Sequence, residues 1–285
     1  MTDFSFYSRC CKQFWVIYFY AFLLSTQSLL ANDINIALHG LENTHYHRLT
    51  STIADQTYHI FIRLPEGFSA DEKYPAVYLL DGGITFPILG GYYKYLELAK
   101  EIPATIIVGI SYGTSDWQKG NNRSRDFTAK SDERSYWGGA GNFQKVFSEE
   151  IFPLVENNYG ADPARRIIFG QSLGGQFVLF TAQTAPDLFW GHIASNPALH
   201  RNLDFFLNTV PDDAGSAAKP RLFVSSAASD DPVFRGPAVK WIQHWTVKTQ
   251  VPWALKTITL DGHNHFSAAP EAFRQGLHWI FSNEN

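Results

Sequence analysis

Arg166-Ile167-Ile168-Phe169-Gly170-Gln171-Ser172-Leu173-Gly174-Gly175 is the stretch whose reading decides the fold. Ile167 to Phe169 is a short apolar run of strand type, and Leu173 to Thr184 continues as a longer helical pattern. The Gly-x-Ser-x-Gly string between them is weak alone, since about one chain of this length in ten would contain it by chance. Between a strand and a helix it describes a sharp turn that lifts a serine hydroxyl clear of the backbone. Such a turn is expected to need Gly170 and Gly174, because side chains there would meet the neighbouring strand and helix. Ser172 would then stand at a helix N-terminus, whose positive end favours developing negative charge. The ordinary alternative is a serine in a glycine-rich βα turn.

Working outward, the same alternation recurs. Tyr58 to Leu64 and Ala76 to Leu80 read as strands, and Ile88 to Lys100 as a helix. Thr105 to Ile110 is an apolar strand, and Asn142 to Tyr159 is helical. After the central motif come a strand at Arg221 to Ser225, a helix at Pro237 to Thr249 and a strand at Trp253 to Leu260. Pro270 to Phe281 closes the chain as a helix. Short apolar strands alternating with helices predict an α/β fold, with a mostly parallel sheet covered by helices on both faces. Ligands bind such sheets at the carboxyl ends of the strands.

The 285 residues carry a formal net charge of −4, with 45% hydrophobic and 18% charged residues, which suits one domain with a substantial core. No basic run gives an electrostatic case for nucleic acid. Arg9 and Lys12 precede an uncharged apolar run, Phe14 to Leu24, followed by polar residues and then Leu29-Leu30-Ala31. That order is a secretory signal peptide, with cleavage expected after Ala31 and an uncleaved N-terminal anchor as the alternative. The run is short for a membrane span, which needs ~20 apolar residues. With residues 1–31 removed, 32–285 remains as a single exported domain, periplasmic or secreted, with no stable membrane insertion. Both cysteines, Cys10 and Cys11, leave with that segment, so no disulfide, thiol nucleophile or cysteine-bound metal is expected.

A serine hydroxyl needs a histidine to take its proton. Of the ten histidines, His265 follows the last predicted strand, where the chain order serine, acid, histidine puts the base. His263 is the competitor, while His39, His45, His47, His192, His200 and His278 read as ordinary surface or core residues. His263 and His265 make a poor metal pair without a carboxylate cluster beside them. The acid should follow the strand Arg221 to Ser225, where Ser229-Asp230-Asp231-Pro232 lies. Asp230 is the first candidate, Asp231 the alternate and Asp261 a third. The backbone N–H of Leu173 is one candidate donor to an oxyanion. The second is expected from Asp81-Gly82-Gly83, a turn after an earlier strand.

Further landmarks are Tyr74-Pro75 leading to Leu79-Leu80-Asp81-Gly82, then Arg123-Ser124-Arg125-Asp126-Phe127-Thr128 and Gly138-Gly139-Ala140. Ser195-Asn196-Pro197 and His265-Phe266-Ser267-Ala268-Ala269-Pro270 complete them. On these residues, from about Tyr46 to Phe281, the chain resembles the esterase D-like family of α/β-hydrolases. Relatives in that family include periplasmic siderophore esterases, feruloyl-esterase-like domains and antigen 85-type acyltransferases. The resemblance implies the α/β-hydrolase fold, His265 over His263 through the His-x-Ser-x-x-Pro pattern, and Gly83 as the second oxyanion donor. It sets Asp230 at the acidic position, although some relatives run on a Ser–His dyad. Arg125 and Asp126 look like a buried pair bracing the loops above the site.

The leading expectation is a serine hydrolase that cleaves a small-molecule carboxylic ester through an acyl-enzyme on Ser172, without cofactor or metal. The same residues would serve an acyltransferase, with an alcohol in place of water. A non-catalytic binding protein on the same scaffold predicts a missing nucleophile or base. Trp117, Tyr136 and Trp137 are expected to overhang the site.

Overall fold

The structure is a computed structural model that describes residues 38–211 and 219–282. It divides into two compact units, 1–42 and 43–285. Of the first, the described part is a 3-10 turn, His39–Leu41, in which His39 contacts Glu42. The expected signal segment and its cleavage point lie outside the described residues. Among the described residues no helix is long and apolar enough to cross a membrane.

The second unit is an α/β-hydrolase fold. Its strands are β1 (Thr44–Ser51), β2 (Gln56–Arg63), β3 (Tyr74–Leu79), β4 (Ile106–Ser111), β5 (Ala161–Gln171), β6 (Gly191–Ser195), β7 (Arg221–Ala227) and β8 (Ala254–Leu260). They form one sheet in the order β1-β2-β4-β3-β5-β6-β7-β8. β1 and β2 pair antiparallel, and β2 meets β4 antiparallel. From β4 to β8 every pairing is parallel.

A parallel strand must be crossed over by a helix, and the helices cover both faces. They are α1 (Gly82–Thr85), α2 (Gly91–Leu98), α3 (Arg123–Asp126), α4 (Ala140–Val146), α5 (Phe152–Tyr159), α6 (Leu173–Thr184), α7 (Leu203–Asn208), α8 (Pro232–Thr246) and α9 (Ala269–Phe281). π-helical turns at Phe86–Gly90 and Phe147–Ile151 join α1 to α2 and α4 to α5. Because side chains alternate along a strand, each central strand feeds two cores. Tyr78, Ile168, Ala194 and Val224 pack with Phe143, Phe147 and Phe152, Phe177 of α6 and Trp241 of α8. On the other face Phe169 meets Phe273 of α9 edge-on at 5.6 Å, and Phe223 meets Trp279 at 6.4 Å. β3, β4 and β6 are buried along their whole length, so each apolar side chain there contributes on the order of 2 kcal/mol.

The predicted elements are present with shifted ends. β1, β6, α1, α3 and α7 went unpredicted. β1 reads Thr-His-Tyr-His-Arg-Leu-Thr-Ser and is mostly exposed at the sheet edge, so it lacks an apolar signature. β6 is five residues long and buries a histidine. α8 starts at Pro232, five residues before the expected Pro237, which lies inside the helix.

Candidate active site

β5 ends at Gln171, and Ser172 turns the chain into α6 with φ 58° and ψ −115°. A non-glycine residue held there stores on the order of 1–3 kcal/mol of strain, so its surroundings must impose it. They do: the Ser172 N–H donates to the Ser195 carbonyl at 2.9 Å, and its own carbonyl accepts from Gln176 and Ala198, each at 3.0 Å. A Cβ on Gly170 would lie 2.3 Å from the Gly174 backbone, and one on Gly175 would lie 3.0 Å from the Ser195 carbonyl oxygen. A Cβ on Gly174 would make ordinary contact, 3.4 Å from Leu80 Cβ. The steric demand therefore falls on Gly170 and Gly175, and the expected clash at Gly174 is absent.

His265, in the loop after β8, has Nε2 2.8 Å from Ser172 Oγ. Its Nδ1 lies 2.8 Å from Asp230 Oδ2. Asp230 follows β7, and its Oδ1 accepts the Asp231 N–H at 2.7 Å. Asp231 is occupied elsewhere, since its Oδ1 accepts the Val233 N–H at 2.8 Å and caps α8. Asp261 is exposed in the turn after β8. The His263 ring pairs with the Ser267 carbonyl at 3.0 Å, away from the serine–histidine–aspartate run. Ser172, His265 and Asp230, from three loops at the carboxyl edge of the sheet, thus form one hydrogen-bonded chain.

A further set of contacts aims the histidine, and the sequence reading assigned none of them a role. The His265 carbonyl accepts from the Gln171 side-chain amide at 2.5 Å and from Asn196 Nδ2 at 3.3 Å. Asn196 is buried in a left-handed conformation, φ 43°, and its Oδ1 accepts the Ala227 N–H at 2.8 Å. One amide thereby fastens the ends of β6 and β7 to the histidine loop. Ser229 N–H to His263 O at 2.9 Å adds a second tie. Phe234, in the first turn of α8, lies over the His265 ring at 4.5 Å, and His200 meets Phe234 edge-on at 5.0 Å. The signals for Gln171 and Asn196 were an amide inside the serine motif and another at a strand end.

Leu173 opens α6, and Gly83 belongs to the first turn of α1. Both backbone N–H groups therefore lack a partner within their own helix. The two helices follow β5 and β3, which are neighbours in the sheet. Gly82 presses against β4, where a Cβ would fall 2.5 Å from Ile110 N. The turn expected at Asp81-Gly82-Gly83 is instead this helix start.

A hollow of about 340 Å³ adjoins Leu173 and Phe234, and Tyr136, Trp137, Arg134 and Arg201 line it too. Trp117, expected with the two aromatic residues, is 75% exposed in a separate 3-10 turn and does not line the hollow. His200, read as a bystander, does line it. Arg201 Nε donates to His200 Nε2 at 3.1 Å. Burial, with Arg201 beside it, lowers the basicity of that imidazole. Arg125 pairs with Asp126 at 2.7 Å, but the arginine is one-third exposed, so only the aspartate is buried. Among the described residues no group of three or more His, Cys, Asp or Glu gathers as a metal site would require.

Residues 51–275 match the family described as "Putative esterase". The chain is 36% identical over 182 residues to the ferri-bacillibactin esterase BesA of Bacillus subtilis, covering 59% of this chain and 62% of that protein. It is 28% identical over 188 residues to the apo-salmochelin esterase of Escherichia coli, covering 62% and 58%. It thus spans about three-fifths of these relatives. Among solved structures, the BES protein from Bacillus cereus superposes with a TM-score of 0.71 at 25% identity, over 84% of this chain and 95% of that one. With most of its length matched and the fold shared, the chain belongs to this esterase family of α/β-hydrolases.

Proposed function

We propose that this protein is a serine esterase that hydrolyses a small-molecule ester through an acyl-enzyme on Ser172. The observation that carries this reading is the run Asp230–His265–Ser172, with both links at 2.8 Å. In the resting tautomer Nδ1–H donates to Asp230, leaving Nε2 to accept the Ser172 proton. As Ser172 Oγ bonds to the ester carbonyl carbon, that proton moves to Nε2 and the carbonyl oxygen takes the negative charge. The N–H groups of Leu173 and Gly83 would receive this oxyanion, an effect worth ~10²–10³ in rate per donor in such enzymes. Nε2–H then protonates the departing alcohol. Water, deprotonated by the same nitrogen, releases the carboxylic acid and restores Ser172. Asp230 keeps the imidazole in its working tautomer and stabilises the imidazolium.

The substrate we favour is an ester of the siderophore type, as the names of the two curated relatives suggest. An aromatic acyl group suits the hollow that Tyr136 and Trp137 help to line, and Arg134 and Arg201 would favour negative charge on it. Export through residues 1–31 fits that reading, and sequencing the N-terminus of the exported protein tests it.

A fluorophosphonate probe followed by peptide mass spectrometry tests the mechanism. One adduct on Ser172 is expected, absent in Ser172→Ala and slowed in His265→Gln. A wild-type protein without the adduct would overturn the reading. Initial rates on short acyl, aromatic acyl and macrolactone esters, with and without an acceptor alcohol, identify the substrate class and separate hydrolysis from acyl transfer.

A further inference from the structure

Asp81 is the residue before the Gly82–Gly83 helix start, and it adopts the left-handed conformation, φ 55° and ψ 39°. Aspartate visits that region only at some cost. Its side chain makes no capping hydrogen bond to its own helix. Instead both carboxylate oxygens are taken by one guanidinium: Arg123 Nε donates to Oδ1 and Nη2 to Oδ2, each at 2.7 Å. Two parallel donors fix the carboxylate plane in a way that one ammonium could not.

Both partners are themselves fixed. Asp81 Oδ2 sits against α6, 3.6 Å from where a Cβ on Gly174 would be. Arg123 lies over the Phe127 ring at 5.5 Å and begins α3, a single turn that reaches in several directions. Two residues after Ser124, which lines the hollow beside Leu173, Asp126 is buried and accepts from Tyr58 Oη at 2.8 Å and Tyr112 Oη at 2.9 Å. Burial, and then Asp126, hold both phenols well above their ordinary range, so they remain donors. α3 is therefore pinned to the core by Asp126 and extends Arg123 to the loop before Gly83.

We propose that Arg123 is a positioning residue for ester cleavage, acting through Asp81 to hold the Gly83 N–H where the oxyanion forms. The proposal rests on the serine-esterase reading above. Removing the guanidinium frees the Asp81 backbone to leave its left-handed conformation, which tilts the following N–H. An error of about 1 Å in such a donor costs on the order of 10²-fold in rate. Ester binding, governed by the hollow, is left nearly as it was.

The test is steady-state hydrolysis of p-nitrophenyl acetate by wild type, Arg123→Ala and Arg123→Lys, with inhibition by a boronic acid that forms a tetrahedral adduct. Arg123→Ala is expected to lower kcat about 30- to 100-fold with KM within about threefold. Its boronate Ki should rise in step with the loss of kcat, and added guanidinium ion should restore part of the rate. Arg123→Lys, which keeps the charge but not the paired donors, is expected to lose about tenfold and decides the matter if the alanine variant does not fold. Variants that keep wild-type kcat, or lose rate without weaker boronate binding, would overturn the proposal while leaving the esterase reading intact. A wild type that neither hydrolyses the ester nor takes the fluorophosphonate on Ser172 would overturn both.

Discussion

The strand ends that carry Ser172, Asp230 and His265, and the segment 130–138 beside them, are built on opposite principles. At the strand ends the side chains around the imidazole are enclosed and hydrogen-bonded: Asp230 and His265 are at most 9% exposed, and Asn196 is 2% exposed. Along 130–138 every residue is exposed or half-exposed, and Trp137 N–H closes on Arg134 O within the segment itself. The first region can hold a geometry to a fraction of an ångström because neighbouring parallel strands set its spacing. The second can change its side chains without disturbing the core, as a loop that selects among substrates would need to do under the proposed function. On the proposed reading, chemistry rests at the edge of the sheet and substrate choice on the loop.

The sharpest way to break that contrast is at the serine. Ser172→Ala should abolish ester hydrolysis, by about 10⁵–10⁶ in kcat, while thermal unfolding shows little change, because Ala keeps the backbone ties and loses only one side-chain hydrogen bond. Asp230→Asn keeps the shape but reverses the preferred histidine tautomer, so kcat should fall by about 10⁴ with KM little changed. Asn196→Ala removes the amide that ties the His265 carbonyl to β7. A loss of about 10- to 100-fold in kcat is expected, and an unchanged kcat would show that the remaining ties suffice. On the other side of the comparison, Trp137→Ala should raise KM for aromatic acyl esters up to about tenfold, with kcat for a short acyl ester unaltered.

The smallest effect on turnover concerns His192, on β6 four residues before Asn196. It is fully buried, and burial pushes its pKa down to about 3, so it is neutral in the folded protein. The unfolded chain protonates it near pH 6.5, so stability is lost as pH falls from about 6.5 toward 3. Between pH 7 and pH 5 this amounts to about 2 kcal/mol, measurable by urea unfolding. His192→Leu should flatten that slope, and an unchanged slope would assign the acid sensitivity to other groups.

Two histidines, His265 and His192, are almost equally buried, and only one has Ser172 and Asp230 at its nitrogens. Burial and residue type did not distinguish them in the sequence; position after the last strand did. The elbow was legible because strand, glycine-rich turn and helix are all local. Asp230 and Asp231 were adjacent candidates that local pattern could not separate, since the choice depends on which carboxylate faces a loop 35 residues away. Asn196 and Arg123 stood in the sequence as landmarks without a role for the same reason, their partners being distant in the chain.

By itself the sequence determined the alternation of strands and helices, the mostly parallel sheet, and Ser172 at a strand-to-helix turn. Those follow from side-chain periodicity and from what glycine permits, both properties of neighbouring residues. Only the tertiary structure decided that Asp230 faces the imidazole while Asp231 caps a helix, and that the glycine demand falls on Gly170 and Gly175. It also decided that Arg123 grips Asp81 beside the proposed oxyanion donor. These are contacts between chain segments that only the folding of the sheet brings within a few ångströms.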